Sequence, residues 1–225
     1  EDEVDVLGRC QQQRQQQHRG CPGGHRQALS APGSENQGDD EGDQDFLSVS
    51  AVGDIMMGST FPVPILPPDD GATLFDGVKA FLRGDIVFGN LEGPLVEGGE
   101  PRKCSPKGGS RSNCFEFSMP PRYGRYLSEA GFNVVSIANN HAYDFGERGL
   151  LASVQTLSRW GIMVAGCGWT ARLSVRGRKI AVLGFTFSPP SSPWGSLLDI
   201  EGAKRMVRSA KAENHIVVVS FHGGA

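Results

Sequence analysis

The residues best suited to chemistry in this chain stand together at Asn139-Asn140-His141, with Asp144 three positions further on. An amide oxygen can ligate a hard or borderline cation, an imidazole can ligate or carry a proton, and a carboxylate can hold that imidazole in one orientation. Three other stretches offer similar groups. Gly53-Asp54 closes one apolar run, Asn90-Leu91-Glu92 closes another, and His222 closes a third. The donors are oxygen and nitrogen without thiolate. That set suits manganese, zinc, iron or magnesium rather than a structural cysteine site. Such an ion would polarise a phosphoryl or acyl oxygen. Each motif alone also reads as an ordinary polar turn at a strand end.

The elements that must position these groups follow from the pattern of apolar residues. Phe46–Val52, Asp85–Gly89, Phe132–Ala138, Ile162–Ala165 and Asn214–Ser220 read as short strands, β-branched and bounded by Gly, Asn or Asp. Helical spacing is expected at Leu74 to Leu82, ending at Gly84. It recurs at Tyr123 to Ala130, ending at Gly131, then from Glu147 to Trp160, and from Asp199 to Glu213. The two tyrosines of the second helix read as core rather than as a stacking platform. Arg172–Val175 and Lys179–Phe185 are expected to form a hairpin about Arg176-Gly177-Arg178. Strands alternating with helices predict an α/β fold with parallel strands, which brings the carboxyl ends of the strands to one edge. Asp54, Asn90, Glu92, Asn140, His141 and His222 would meet there, where open α/β sheets keep their ligands.

Composition sets bounds. The chain has 225 residues, with a formal net charge of −3. That balance carries no nucleic-acid footprint. No apolar run reaches the ~20 residues needed to cross a bilayer. The first residue is Glu, so a missing leader says nothing about secretion. Residues 1–45 hold a glutamine tract, Pro/Gly breakers and an acidic Gly/Asp run, and are expected to be a disordered tail before a domain spanning 46–225. His18, His25, Cys10 and Cys21 lie in that tail at a spacing that fits no zinc finger. Cys104 and Cys114 flank a Gly/Ser/Lys loop and could be bridged or remain two thiols. The glycine-rich segment from Val96 to Asn113 reads as an excursion over the site. Ser188–Gly195 reads as a Pro/Ser-rich loop whose Trp194 seals it against the core.

Gly53-Asp54-Ile55-Met56-Met57-Gly58, Gly89-Asn90-Leu91-Glu92-Gly93-Pro94, Ala138 to Gly146 and Ser220-Phe221-His222-Gly223-Gly224 together resemble the CapA-type capsule synthesis proteins. That family is linked to poly-γ-glutamate capsules and related to the calcineurin-like metallophosphoesterases. The resemblance runs from about Phe46 to Ala225. It implies a metallophosphoesterase-like α/β/β/α sandwich, incomplete at the C-terminus, and a place at the cell surface or membrane. It implies Asp54, Asn90, Glu92, Asn140 and His222 as metal ligands, His141 as the group that meets a scissile phosphate or protonates a leaving group, and Asp144 as its orienting partner. The first motif lacks the Asp-x-His pair of true phosphoesterases, and a later histidine motif of the family does not occur in this sequence. Three functions stay open on these grounds. One is a capsule or surface-polymer biosynthesis component acting on poly-γ-glutamate or another anionic polymer. The others are a metal-dependent hydrolase of phosphoesters or γ-glutamyl amides, and a non-catalytic polymer-binding domain.

Overall fold

The structure, a computed structural model, describes residues 46–104, 114–187 and 196–223. The expected tail with His18, His25, Cys10 and Cys21 lies outside the described residues, as does the loop holding Trp194. What is described belongs to one compact unit, Phe46–Ala225.

Two sheets carry the domain. The first has the order β1-β2-β3-β4, with β1 at Val49–Ile55, β2 at Ile86–Leu91, β3 at Val134–Ser136 and β4 at Met163–Ala165, all parallel. The second has the order β5-β6-β7, with β5 at Thr170–Val175, β6 at Arg178–Thr186 and β7 at Ile216–His222. β5 and β6 form the expected antiparallel hairpin, and its turn residues Arg176 and Gly177 both take positive φ, 48° and 74°. β7 then lies parallel to β6.

Alternation along β6 explains the layers. Ile180 and Val182, with Ala171 of β5, face the first sheet, where Ile86, Val134 and Ala165 complete a buried cluster. Ala181, Leu183 and Phe185 point the other way, onto Ala203, Met206, Val207 and Ala210 of the helix α3, Ile200–Glu213. The first sheet is covered on its outer side by α2, Gly146–Arg159, which contacts β4 and buries Leu150, Val154 and Leu157. The helix α1, Gly124–Ala130, precedes β3 and buries Tyr126, Leu127 and Ala130. Tyr123 is buried just before it, as the core reading of the tyrosine pair requires. The order helix, sheet, sheet, helix is the α/β/β/α sandwich. At Gly184 of β6 the second sheet approaches the end of β3 closely enough to leave no room for a side chain: a Cβ there would lie 2.7 Å from Ser136 Oγ and 3.2 Å from Ala138 Cβ.

Two expectations are corrected. Residues 72–81 form successive turns, not a helix, with bonds such as Leu74 N to Gly71 O and Phe81 N to Val78 O. Gly77 weakens the segment and most of its apolar side stays uncovered: Leu82 is buried, but Leu74 and Val78 are exposed and Phe81 is 78% exposed. The strand expected over Phe132–Ala138 pairs only at Val134–Ser136. Before it, the Asn133 side chain takes the place of strand backbone, accepting from Val87 N and donating to Asp85 O. After it, Ser136 Oγ accepts from Ala138 N and turns the chain.

Candidate metal centre

The parallel register does the first part of the assembly. A bulge between Ala51 and Asp54 sets Asp54 opposite Asn90, and Asn90 in turn stands opposite Ser136. β6 pairs Thr186 with His222, so the last residue of β7 reaches the same edge. His222 is thus inside its strand, not beyond it.

The side chains then converge. Asn90 Nδ2 donates to Asp54 Oδ1 and to Glu92 Oε2, both at 2.7 Å, and lies 3.2 Å from His222 Nδ1. His222 Nδ1 is 3.5 Å from Asp54 Oδ1, and its Nε2 is 3.7 Å from Glu92 Oε1 and 3.0 Å from Asn140 Oδ1. One ligand atom each from Asp54, Glu92 and His222 all lie within 4.8 Å of one another. All five residues expected as ligands therefore stand in one cluster.

The chemistry of this cluster fits a cation. Three acceptor atoms face one amide nitrogen, which has two hydrogens, so the group is rich in electron pairs and short of positive charge. Burial, and then the neighbouring Asp54 charge, push the Glu92 carboxyl above its usual range, against the pull of His222 and of the Asn90 hydrogen bond. Two carboxylates and an imidazole, with an amide oxygen beside them, are an oxygen and nitrogen donor set for a divalent metal.

Asn90 presents its NH2 to the cluster, not its oxygen. The cause lies one layer back. His141 N donates to Asn139 Oδ1 at 3.0 Å, so the other end of that amide must be NH2, and it donates to Leu91 O at 2.8 Å and Asn90 Oδ1 at 3.1 Å. Asn139, buried at 5% exposure, thereby sets the orientation of Asn90. Sequence reasoning gave Asn139 no role. The doubled asparagine before His141 was the available signal.

Beside the cluster stands the His141–Asp144 pair. His141 Nδ1 is 2.7 Å from Asp144 Oδ2, and Asp144 is fully buried. Oδ2 also accepts from Phe117 N at 2.7 Å. A carboxylate oxygen that accepts twice assigns the proton to His141 Nδ1 and leaves Nε2 as the ring's working nitrogen. The Phe117 ring packs 4.5 Å from the imidazole. Cys104 and Cys114 are joined by a disulfide. The expected excursion from Val96 does reach the site: Lys103 Nζ lies 3.2 Å from His141 Nδ1 and 3.5 Å from Asp144 Oδ1. Lys103 and Phe117 were not read from the sequence, though the cysteine pair marked the loop that carries them.

With this geometry in view, the chain compares with known proteins as follows. A family model described as "Bacterial capsule synthesis protein PGA_cap" matches residues 48–225. The chain is 29% identical over 196 residues to "PGA biosynthesis protein CapA" of Bacillus subtilis (strain 168), covering 80% of this chain and 50% of that protein. It is 29% identical over 148 residues to "Capsule biosynthesis protein CapA" of Bacillus anthracis, covering 62% of this chain and 34% of that one. The chain thus spans half of the first relative and about a third of the second. Among solved structures, a hypothetical protein from Thermus thermophilus aligns with a TM-score of 0.45 at 19% identity, over 79% of this chain and 58% of its own.

Proposed function

The chain belongs to the PGA_cap family of bacterial capsule synthesis proteins, and from that premise we propose that it serves surface-polymer biosynthesis by acting on an anionic polymer such as poly-γ-glutamate at a metal-dependent site. The observation that carries this reading is the convergence of Asp54, Glu92 and His222 at the strand ends, next to a buried His–Asp pair. Asp54, Glu92 and His222, with the Asn140 oxygen beside them, would hold a divalent cation. Bound there, the cation supplies Lewis-acid polarisation of a phosphoryl or acyl oxygen.

The remaining work falls to residues of the chain. Asp144 holds His141 in the Nδ1–H tautomer, so Nε2 takes a proton from an attacking group and returns it to a leaving group. Asn90 bonds both carboxylates and fixes their separation. The Cys104–Cys114 bridge supports a working place outside the reducing cytosol, in keeping with a surface role. Among the described residues no helix is long and apolar enough to cross a membrane.

A hydrolase of phosphoesters or γ-glutamyl amides is the second reading, and the His141–Asp144 pair favours it over a purely polymer-binding domain, which has no use for a buried proton-transfer pair. The test is metal content of the purified full chain, followed by product analysis with poly-γ-glutamate and with an aryl phosphate. Bound metal with polymer cleavage or transfer supports the first reading. Aryl phosphate turnover with polymer untouched supports the phosphoesterase. Polymer binding without metal or turnover leaves the binding domain and overturns the proposal.

A further inference from the structure

Both feet of the disulfide-closed loop rest on the proton-transfer pair. On one side, Arg102 N donates to Asp144 O at 2.7 Å, and Cys104 N donates to Glu116 Oε1 at 2.8 Å. On the other, Phe117 N donates to Asp144 Oδ2 and the Phe117 ring covers His141. The bridge between Cys104 and Cys114 ties the feet together. Lys103 sits between Arg102 and Cys104, so its course is set on both sides.

The ammonium it delivers is only partly used. His141 Nδ1 gives its hydrogen to Asp144 Oδ2, and a ring nitrogen that carries hydrogen has no lone pair left for Lys103. Asp144 Oδ1 is buried without a hydrogen-bond partner among the described residues, and Lys103 Nζ faces it at 3.5 Å, a charge contact beyond hydrogen-bond length. The opposite charges of Lys103 and Asp144 offset each other, while the ammonium hydrogens have no well-placed acceptor among the described residues. The Lys103 side chain keeps 26% exposure, so it is open to a ligand.

We propose that Lys103 is an oxyanion-binding residue of this site, donating to a phosphate or carboxylate oxygen of the substrate beside His141. The assignment rests on the reading of this edge as a substrate site. Its alternative is a lysine that only balances the Asp144 charge.

The test uses the full chain with its disulfide intact. Inorganic phosphate and a γ-glutamyl tripeptide are titrated calorimetrically into the wild type, Lys103→Met and Lys103→Arg. Lys103→Met is expected to weaken the anion that the wild type binds by roughly ten-fold or more, the loss of one charge-assisted hydrogen bond. Lys103→Arg, which keeps the charge and donors, should retain most of the affinity. The probe affected identifies the group as phosphoryl or carboxyl. A Cys104→Ser/Cys114→Ser variant, which unties the feet, should weaken the same anion. Cobalt uptake at Asp54, Glu92 and His222 should be unchanged in all of them. Equal anion affinity in Lys103→Met and wild type, with the wild type binding, overturns this assignment alone. So does a Lys103→Met protein that loses cobalt and anion together, since Lys103 then supports the fold. Binding of neither probe by the wild type removes the substrate-site reading and this assignment with it.

Discussion

Asn139→Ala is the most demanding test of the site's construction. Asn139 touches no proposed ligand atom except through Asn90, yet it satisfies three buried groups. Its oxygen accepts from His141 N at 3.0 Å, and its NH2 donates to Leu91 O at 2.8 Å and Asn90 Oδ1 at 3.1 Å. Alanine removes all three bonds and leaves one backbone donor, one backbone carbonyl and one amide oxygen without partners. A net hydrogen bond contributes about 1 kcal/mol, and an orphaned buried group costs ~1–3 kcal/mol. Water entering the vacated space recovers part of this, so the expected loss is about 3 kcal/mol, within the range of broken buried networks. The assay is urea unfolding of the full chain in chelator, compared at equal slope. A second readout is cobalt affinity, which should change because Asn90 loses the contact that aims its NH2 at Asp54 and Glu92. A loss of stability below about 1 kcal/mol, with cobalt affinity intact, would refute the claim that Asn139 orients the cluster.

The other expectations follow the same geometry. Glu92 is held above its usual carboxyl range by burial and by Asp54, so the folded state binds its proton more tightly than the unfolded chain, and this contribution is lost as pH rises through the raised value. In chelator, Glu92→Gln should therefore gain on the wild type in Tm as pH rises above the ordinary carboxyl range of about 4, and a divalent cation should close the gap; a constant difference would contradict this. His141→Ala should lose turnover while keeping metal, and His222→Ala should lose metal, both read by metal content beside product formation; metal loss in His141→Ala would reverse the roles. Opening the Cys104–Cys114 bridge, whose ends are 10 positions apart, should cost about 3 kcal/mol in the chain-entropy picture, measured as a shift in urea midpoint on reduction. Gly184→Ala would bring a Cβ to 2.7 Å from Ser136 Oγ and should cost ~1–3 kcal/mol by overpacking the junction of the two sheets; an unchanged midpoint would mean the sheets separate freely.

The sequence made much of the scaffold legible because its local signals agreed with the global packing. Arg176-Gly177 could take the positive φ of a tight hairpin turn, and the flanking alternation supplied the strands. Gly131 could end α1 in a left-handed conformation, φ 105°, after apolar residues at helical spacing. The reading failed where local and global signals part. Leu74, Val78 and Phe81 have helical spacing, but spacing becomes a helix only when the apolar face is covered, and these three remain exposed. Around β3, the apolar run was longer than the strand because Asn133 and Ser136 spend their side chains on backbone groups. Nothing in a hydrophobic pattern reports that substitution.

The site divides along a similar line. Which residues meet was readable, since strand ends in a parallel sheet share an edge whatever the side chains do. How they meet was not. An amide is a donor at one end and an acceptor at the other, and Asn90 has the same letter in either orientation. Its role is decided by Asn139, whose role is decided by the backbone of Leu91 and His141. The consequence is chemical. With its oxygen turned to Asn139, Asn90 offers Asp54, Glu92 and His222 hydrogens rather than a lone pair. It stands to the donor set as a weak, neutral substitute for a cation. A metal entering the cluster must either take Asp54, Glu92, His222 and Asn140 around an amide that stays put, or displace the Asn90 NH2 from two carboxylates. The first course makes Asn90 a partner of the ligands, so Asn90→Ala would shift affinity only modestly. The second makes it a competitor, so Asn90→Ala would tighten cobalt binding. Loss of cobalt in Asn90→Ala, with Asn139→Ala unaffected, would instead require the Asn90 oxygen on the metal, and with it a rotation of both amides that breaks the bond from His141 N.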